Sequence, residues 1–204
     1  MDNIIQGSEQ WIACRLGKIT ASRIADLTAK TKTGYGASRA NYMAELIIER
    51  LTGARQESFT NTAMAWGTAT EPQARALYEF ENNCTVIEVG FVEHPIIALC
   101  GASPDGLVGD DGLIEIKCPN SATHIETLLE KKAPEKYIKQ MMWQMACTGR
   151  AWCDFMSFDP RLPANLQSFT IRVMRDDNYI AELGKEVILF IDELELKIKK
   201  LEGL

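Results

Sequence analysis

The chain has 204 residues, 46% of them hydrophobic and 25% charged, and a formal net charge of −6. That composition excludes disordered, collagenous and rod-like coiled-coil classes, and a chain of this size buries about 70% of its unfolded surface without needing disulfides or a structural metal. No apolar run approaches the ~20 residues of a bilayer span, and the N-terminus has no basic stretch leading into one, so a soluble cytoplasmic protein with no membrane contact is expected.

With no repeats and no Pro/Gly/Ser linker, residues 1–204 read as one domain. Thr20 is placed to cap a short helix reaching about Ala29, and a Gly-rich loop, Lys32 to Gly36, follows. Ser38 opens a helix with Tyr42, Leu46, Ile47 and Leu51 at helical spacing, ending near Gly53. Another is expected after Thr70, with Pro72 in its first turn and Ala76, Leu77 and Phe80 on one face. Strands follow at Thr85–Val92, Ile96–Gly101 and Leu113–Cys118, broken by Pro95, Pro104-Asp105-Gly106 and Asp110-Asp111-Gly112. A helix from about Pro134 to Cys147 precedes strands Trp152–Phe158 and Gln167–Arg175, the latter turning Phe169, Ile171 and Val173 one way. The last helix, Tyr179 to about Leu201, carries Leu183, Val187, Phe190, Ile191, Leu194 and Ile198 as a stripe that suits a core better than an oligomer face. The expected fold is α/β, a central mixed sheet flanked by helices.

The six cysteines form no CxxC pair, and His94 and His124 sit in no zinc spacing, so free and mostly buried thiols are expected rather than a zinc or iron–sulfur site. Charge is uneven: residues 15–39 hold six bases and one acid, whereas residues 176–204 hold eight acids and four lysines. A basic N-terminal third can still form a local anion-binding surface, but charge counting alone favours solvated faces on two ordinary surface helices.

The stretch richest in chemistry is Ser103-Pro104-Asp105-Gly106 followed by Leu113-Ile114-Glu115-Ile116-Lys117. Pro-Asp-Gly signals a turn, which puts Asp105 at a bend. Period-two alternation sends Glu115 and Lys117 to one face of their strand and Ile114 and Ile116 to the other. Two carboxylates suit a hard cation such as Mg²⁺, to which the Ile116 carbonyl could add a further oxygen ligand. Lys117 would position or help deprotonate an attacking water, or stabilise charge developing on a phosphate. Glu71 completes an acidic metal site if it folds nearby; an acid in the first turn of a helix also complements the helix dipole. Alone, Glu-x-Lys is more often a surface ion pair; the combination with Pro-Asp upstream and Glu71 is what points to a site.

In this order and spacing, Pro104-Asp105, Glu115 and Lys117 resemble the PD-(D/E)xK nuclease core, a restriction-endonuclease-like fold. Flanking segments narrow the likeness to lambda-exonuclease-type, YqaJ-like viral recombinase enzymes: Trp11, Arg15-Leu16-Gly17, Ile19-Thr20-Ala21-Ser22, Ala65-Trp66-Gly67 with Glu71, Glu115-Ile116-Lys117-Cys118-Pro119, Tyr137-x-x-Gln140 and Phe158-Asp159-Pro160-Arg161. The resemblance implies a Mg²⁺-dependent 5′→3′ exonuclease on linear duplex DNA, releasing mononucleotides and leaving a 3′ single strand. Two ions are implied, with Mn²⁺ as a possible substitute. By motif position Asp105 and Glu115 would hold metal, Lys117 would assist the water, and Glu71 would support the second ion or its water shell. Arg15, Ser22, Ser103 and Gln140 match the family's pocket for a 5′-terminal phosphate, a group that one guanidinium and neutral donors can satisfy. Met64 falls where the family places a strand-separating wedge, although a core methionine fits equally well. Met142 stands where a second glutamine is often found, and Gln144, one turn after Gln140, receives no role from the likeness. A homotrimeric ring, a single-strand-annealing partner and a phage or prophage origin within a bacterial cell are also implied. Two alternatives remain: a DNA-end-binding scaffold of this fold that has lost its chemistry, and a Cas4-type nuclease, which would need a cysteine cluster.

Overall fold

The computed structural model describes residues 4–55 and 62–204. Helix α1 (Glu9–Arg15), capped by Ser8, leads into β1 (Ile19–Thr20) and a single 3₁₀ turn joined to α2 (Ile24–Leu27). The Gly-rich segment is a small hairpin, β2 (Lys30–Thr31) with β3 (Gly34–Tyr35). Helix α3 (Ala37–Thr52) starts one residue before Ser38, with Gly36 at its N-cap, and is closed by Gly53, whose φ of 66° suits a residue without a Cβ. Thr20 makes no capping bond and lies in β1, so the expected Thr20-capped helix is shorter and begins later.

Helix α4 (Thr62–Asn82) is longer than its sequence suggests and carries Pro72 in its interior. Proline removes one main-chain bond there, a loss a 21-residue helix tolerates. The face buried by α4 is Thr70, Ala74 and Tyr78; Phe80, expected inside, is 84% exposed. Glu71 is consequently mid-helix, and the helix-dipole explanation for it falls away.

The expected strand Thr85–Val92 is two strands in two sheets: β4 (Val86–Ile87) and β5 (Val92–Glu93). Gly90, between them, passes so close to Ile4 that a Cβ would lie 2.5 Å from its carbonyl oxygen. The next strand is β6 (Cys100–Ala102), preceded by a turn that places Leu99 at positive φ; β7 (Gly106–Val108) follows Asp105 directly, where only a break was expected. The central strand is β8 (Gly112–Lys117), and α5 (Ser121–Glu130), which no periodicity announced, is capped by Asn120. Then come α6 (Glu135–Thr148), β9 (Trp152–Phe158), β10 (Ser168–Met174) and α7 (Asp177–Glu202), all close to expectation.

Five strands form a mixed sheet ordered β10-β9-β8-β7-β4, in which only β8 and β9 run parallel. A second sheet orders β1-β6-β5. The register of β8 is set at its start: a Cβ on Gly112 would lie 2.1 Å from the Trp152 ring, its partner on β9. Alternation then divides β8 as expected. Leu113 joins a core with Cys153 and Phe155, the α3 residues Tyr42 and Leu46, Trp143 of α6, and the α7 stripe from Leu183 to Ile198. Ile114 and Ile116 join the opposite core with Met156, Phe158 and the α4 residues Ala74 and Tyr78. The α7 stripe thus packs inward.

The uneven charge resolves into pairing across the fold. Lys30 meets Glu186 and Arg39 meets Glu193, each at 2.6 Å, and Arg50 pairs with Glu195. Basic residues of the N-terminal third are therefore partly spent on the acids of α7. The six cysteines are free, with Cys100, Cys118, Cys147 and Cys153 buried.

Candidate active site

Asp105 sits between β6 and β7, in the turn that carries the chain from one sheet to the other. Its Oδ2 accepts the Ile116 N–H at 2.6 Å, which ties the turn to the last residues of β8. Glu115, one residue earlier on β8, is fully buried. Its Oε1 accepts from Gln140 Nε2 at 2.7 Å and pairs with the Lys117 ammonium, and its Oε2 accepts from Gln144 Nε2 at 2.5 Å. Lys117 Nζ also lies 5.3 Å from the centre of the Tyr137 ring. Glu71 reaches the same region from α4, with Arg75 one turn on at 2.8 Å and Arg75 in turn bridging to Glu88.

These four groups feel one another's charge. Burial works against the Lys117 cation, but Glu115 and Asp105 more than offset it and hold the amine above its usual range. Burial, then the Glu115 charge, pushes Asp105 well above the usual carboxylate range against the pull of Lys117. Glu71 is likewise raised by burial despite Arg75. Three acids thus crowd one ammonium, and two of them ionise less readily than usual. A divalent cation would relieve that crowding, and the available donors are hard oxygens: Asp105, Glu115, the Ile116 carbonyl and Glu71. Among the described residues no three acid, imidazole or thiol groups form a ready-made cage.

Beside these groups lies a cavity of about 450 Å³ lined by Met64, Gly67, Thr68, Glu71, Ile116, Lys117 and Tyr137, among others. A second cavity, about 290 Å³, is lined by Trp11, Arg15, Thr20, Ser22, Tyr42, Arg55 and again Met64. Met64 is half exposed and borders both, so it is a wall between two cavities rather than part of the core.

In the second cavity Arg15 stacks on Trp11, its guanidinium carbon 3.9 Å from the ring centre, and both donate to Ser103 Oγ, at 3.0 and 2.9 Å. Among the described residues no carboxylate lies within ion-pairing distance of Arg15. Burial therefore dominates and brings its pKa down to about 10. A half-buried guanidinium held by a ring and a hydroxyl is poised for an anion. Ser22 shares this cavity and touches Thr20 Oγ1 at 3.3 Å. Arg15, Ser22 and Ser103 are thus neighbours, whereas Gln140 is placed apart from them, on Glu115. Two site residues were named from the sequence without a role: Tyr137, whose ring lies 5.3 Å from the Lys117 ammonium, and Gln144. The four-residue spacing from Gln140 was the available signal for Gln144, since it puts both amides on one helix face.

No curated protein sequence matches the chain. Among solved structures, the alkaline exonuclease LHK-Exo from Laribacter hongkongensis is 57% identical, with a TM-score of 0.90 over 96% of this chain and 97% of the other. LHK-Exo in complex with dAMP matches at the same identity and coverage with a TM-score of 0.91. A phage related exonuclease from Haemophilus somnus 129PT, 15% identical, shares the fold with a TM-score of 0.75 over 90% of this chain and 96% of its own. The profile of the YqaJ-like viral recombinase domain matches residues 10–151. The mixed sheet flanked by helices and the order of the motifs agree with that match, and the chain belongs to the YqaJ-like viral recombinase domain family.

Proposed function

We propose that this chain is a Mg²⁺-dependent exonuclease that digests the 5′-ended strand of linear duplex DNA and leaves a 3′ single-stranded tail. The observation that carries the reading is geometric: Asp105 is tied to the Ile116 N–H, Glu115 pairs with Lys117, and Glu71, Ile116 and Lys117 line one cavity at the end of β8. The 57% identity to an alkaline exonuclease over nearly the whole chain supports it.

In this reading Asp105, Glu115 and the Ile116 carbonyl hold the ion, and Glu71 serves a second ion or its water shell. Bound there, Mg²⁺ would lower the pKa of a water and polarise the scissile phosphate. Lys117, paired with Glu115 at the cavity, positions or helps deprotonate the water and offsets charge on the phosphate. Arg15, with Ser103 and Ser22, takes the 5′-phosphate in the neighbouring cavity, and Gln140 contributes by steadying Glu115. Met64 lines both cavities, and in this reading its side chain parts the terminal base pair. A homotrimeric ring, a single-strand-annealing partner and Mn²⁺ as a substitute ion belong to the same proposal and come from the family likeness.

The test is incubation of a linear duplex, each strand end-labelled in turn, with Mg²⁺ or with EDTA. Digestion from the 5′ ends only, and only with Mg²⁺, is expected; equal loss from 3′ ends refutes the polarity. Lys117→Ala should keep duplex-end binding and lose digestion by orders of magnitude, and an unchanged rate removes Lys117 from the mechanism.

A further inference from the structure

Gln144 is fully buried in α6, flanked along the helix by Trp143 and Met145. Its Nε2 donates to Glu115 Oε2 at 2.5 Å, and the Cys153 thiol on β9 points at its Oε1 from 4.0 Å. The amide orientation follows from its neighbours, because the reverse would set its oxygen against a carboxylate oxygen. The two oxygens of Glu115 are therefore treated differently. Oε2 is pinned from inside the protein, whereas Oε1 faces Gln140 and Lys117, the latter lining the larger cavity.

We propose that Gln144 is a positioning residue that holds Glu115 Oε2 inward so that Oε1 is presented to the divalent cation. This rests on the metal-dependent reading above. A carboxylate with no exposed surface has no solvent to stabilise alternative orientations, so the donors on its walls select one. With the inner donor removed, Oε2 turns toward the remaining donors, and the oxygen aimed at the cation moves with it. Groups that orient a metal-ligating side chain typically contribute about 10–100-fold in metal affinity or activity.

The test compares Gln144→Met, which keeps the volume and loses the donor, with Gln144→Asn, whose amide falls one methylene short. Mn²⁺ binding is measured by calorimetry without DNA, alongside the Mg²⁺ dependence of digestion and duplex-end binding in EDTA. Both variants should bind Mn²⁺ about 10–100-fold more weakly and need correspondingly more Mg²⁺ for half-maximal digestion. Duplex-end binding should equal the parent's. A merely structural role would lower the melting temperature and leave the Mn²⁺ affinity of the folded protein unchanged, and that result overturns the proposal. If circular dichroism shows Gln144→Met unfolded, Gln144→Asn decides. A parent that binds Mn²⁺ without digesting DNA refutes the proposed function alone, the Mn²⁺ affinities still deciding Gln144; a parent that binds no Mn²⁺ overturns both.

Discussion

Replacing Lys117 by methionine isolates what its charge does for the fold. The substitution keeps an unbranched stem and removes the ammonium paired with the fully buried Glu115. Breaking one side of a buried ion pair typically costs about 3–5 kcal/mol, because the other charge is left uncompensated. Two amides, from Gln140 and Gln144, still donate to Glu115, and the Lys117 side chain is 26% exposed, so the low end, about 3 kcal/mol, is the expected loss. For a chain of this length each kcal/mol moves the melting temperature by about 2–4 °C, which gives a fall of about 6–12 °C. Thermal unfolding followed by circular dichroism in EDTA measures it. In millimolar Mg²⁺ the gap should narrow, since an ion held by the acids restores positive charge where the ammonium was lost. A variant that melts at or above the parent in EDTA would show that Lys117 does not neutralise the acids, and the electrostatic account of the site would fail with it.

A duplex with 5′-phosphates should be digested faster than one with 5′-hydroxyls, and Arg15→Ala should narrow that difference; equal parental rates on both ends count against the phosphate pocket. Tyr78→Phe removes a 2.7 Å bond to the buried Asp154, which Arg172 also grips at 2.8 and 2.9 Å. A loss of about 2 kcal/mol in urea unfolding, with digestion unchanged, is expected, and no measurable loss would mean that Arg172 alone satisfies Asp154. For Asp159, burial opposes its charge, but hydrogen bonds from Arg161 and Ser121 prevail and bring its pKa down to about 2. A depressed carboxylate stabilises the fold above its unfolded pKa and loses that contribution as pH falls through the folded value. Arg161→Ala should therefore be less stable than the parent at neutral pH, with the difference shrinking between about pH 4 and 2. A difference constant down to pH 2 would separate Arg161 from the Asp159 charge.

What the sequence made legible rests on local rules. Alternation in residues 113–117 correctly sent Ile114 and Ile116 into one core and Glu115 and Lys117 to the opposite face of the strand. The period of α7 named its buried residues, and Pro104-Asp105-Gly106 marked the turn that holds Asp105. What stayed hidden depends on partners far along the chain. Pairs such as Arg39 with Glu193 join residues 154 positions apart, and no periodicity announces them. The division of residues 85–92 between two sheets depends on Gly90 passing against Ile4. Pro72 was read as a helix start because proline usually marks one, whereas α4 absorbs it within 21 residues. The spacing of Gln140 and Gln144 identifies a shared helix face; that the face looks onto Glu115 requires the packing of α6 on the sheet.

The contact between Gly112 and Trp152 lies five residues upstream of Lys117, at the opposite end of the strand from the Glu115–Lys117 pair. A slip of one position would exchange the two sides of the strand, turning Ile116 toward Gln140 and Gln144 and burying the acid and the amine among methyl groups. Selection for nuclease activity therefore reaches a residue with no chemistry of its own: Gly112 works as an index stop, and even alanine there forces a choice between displacing an indole and losing alignment at the far end.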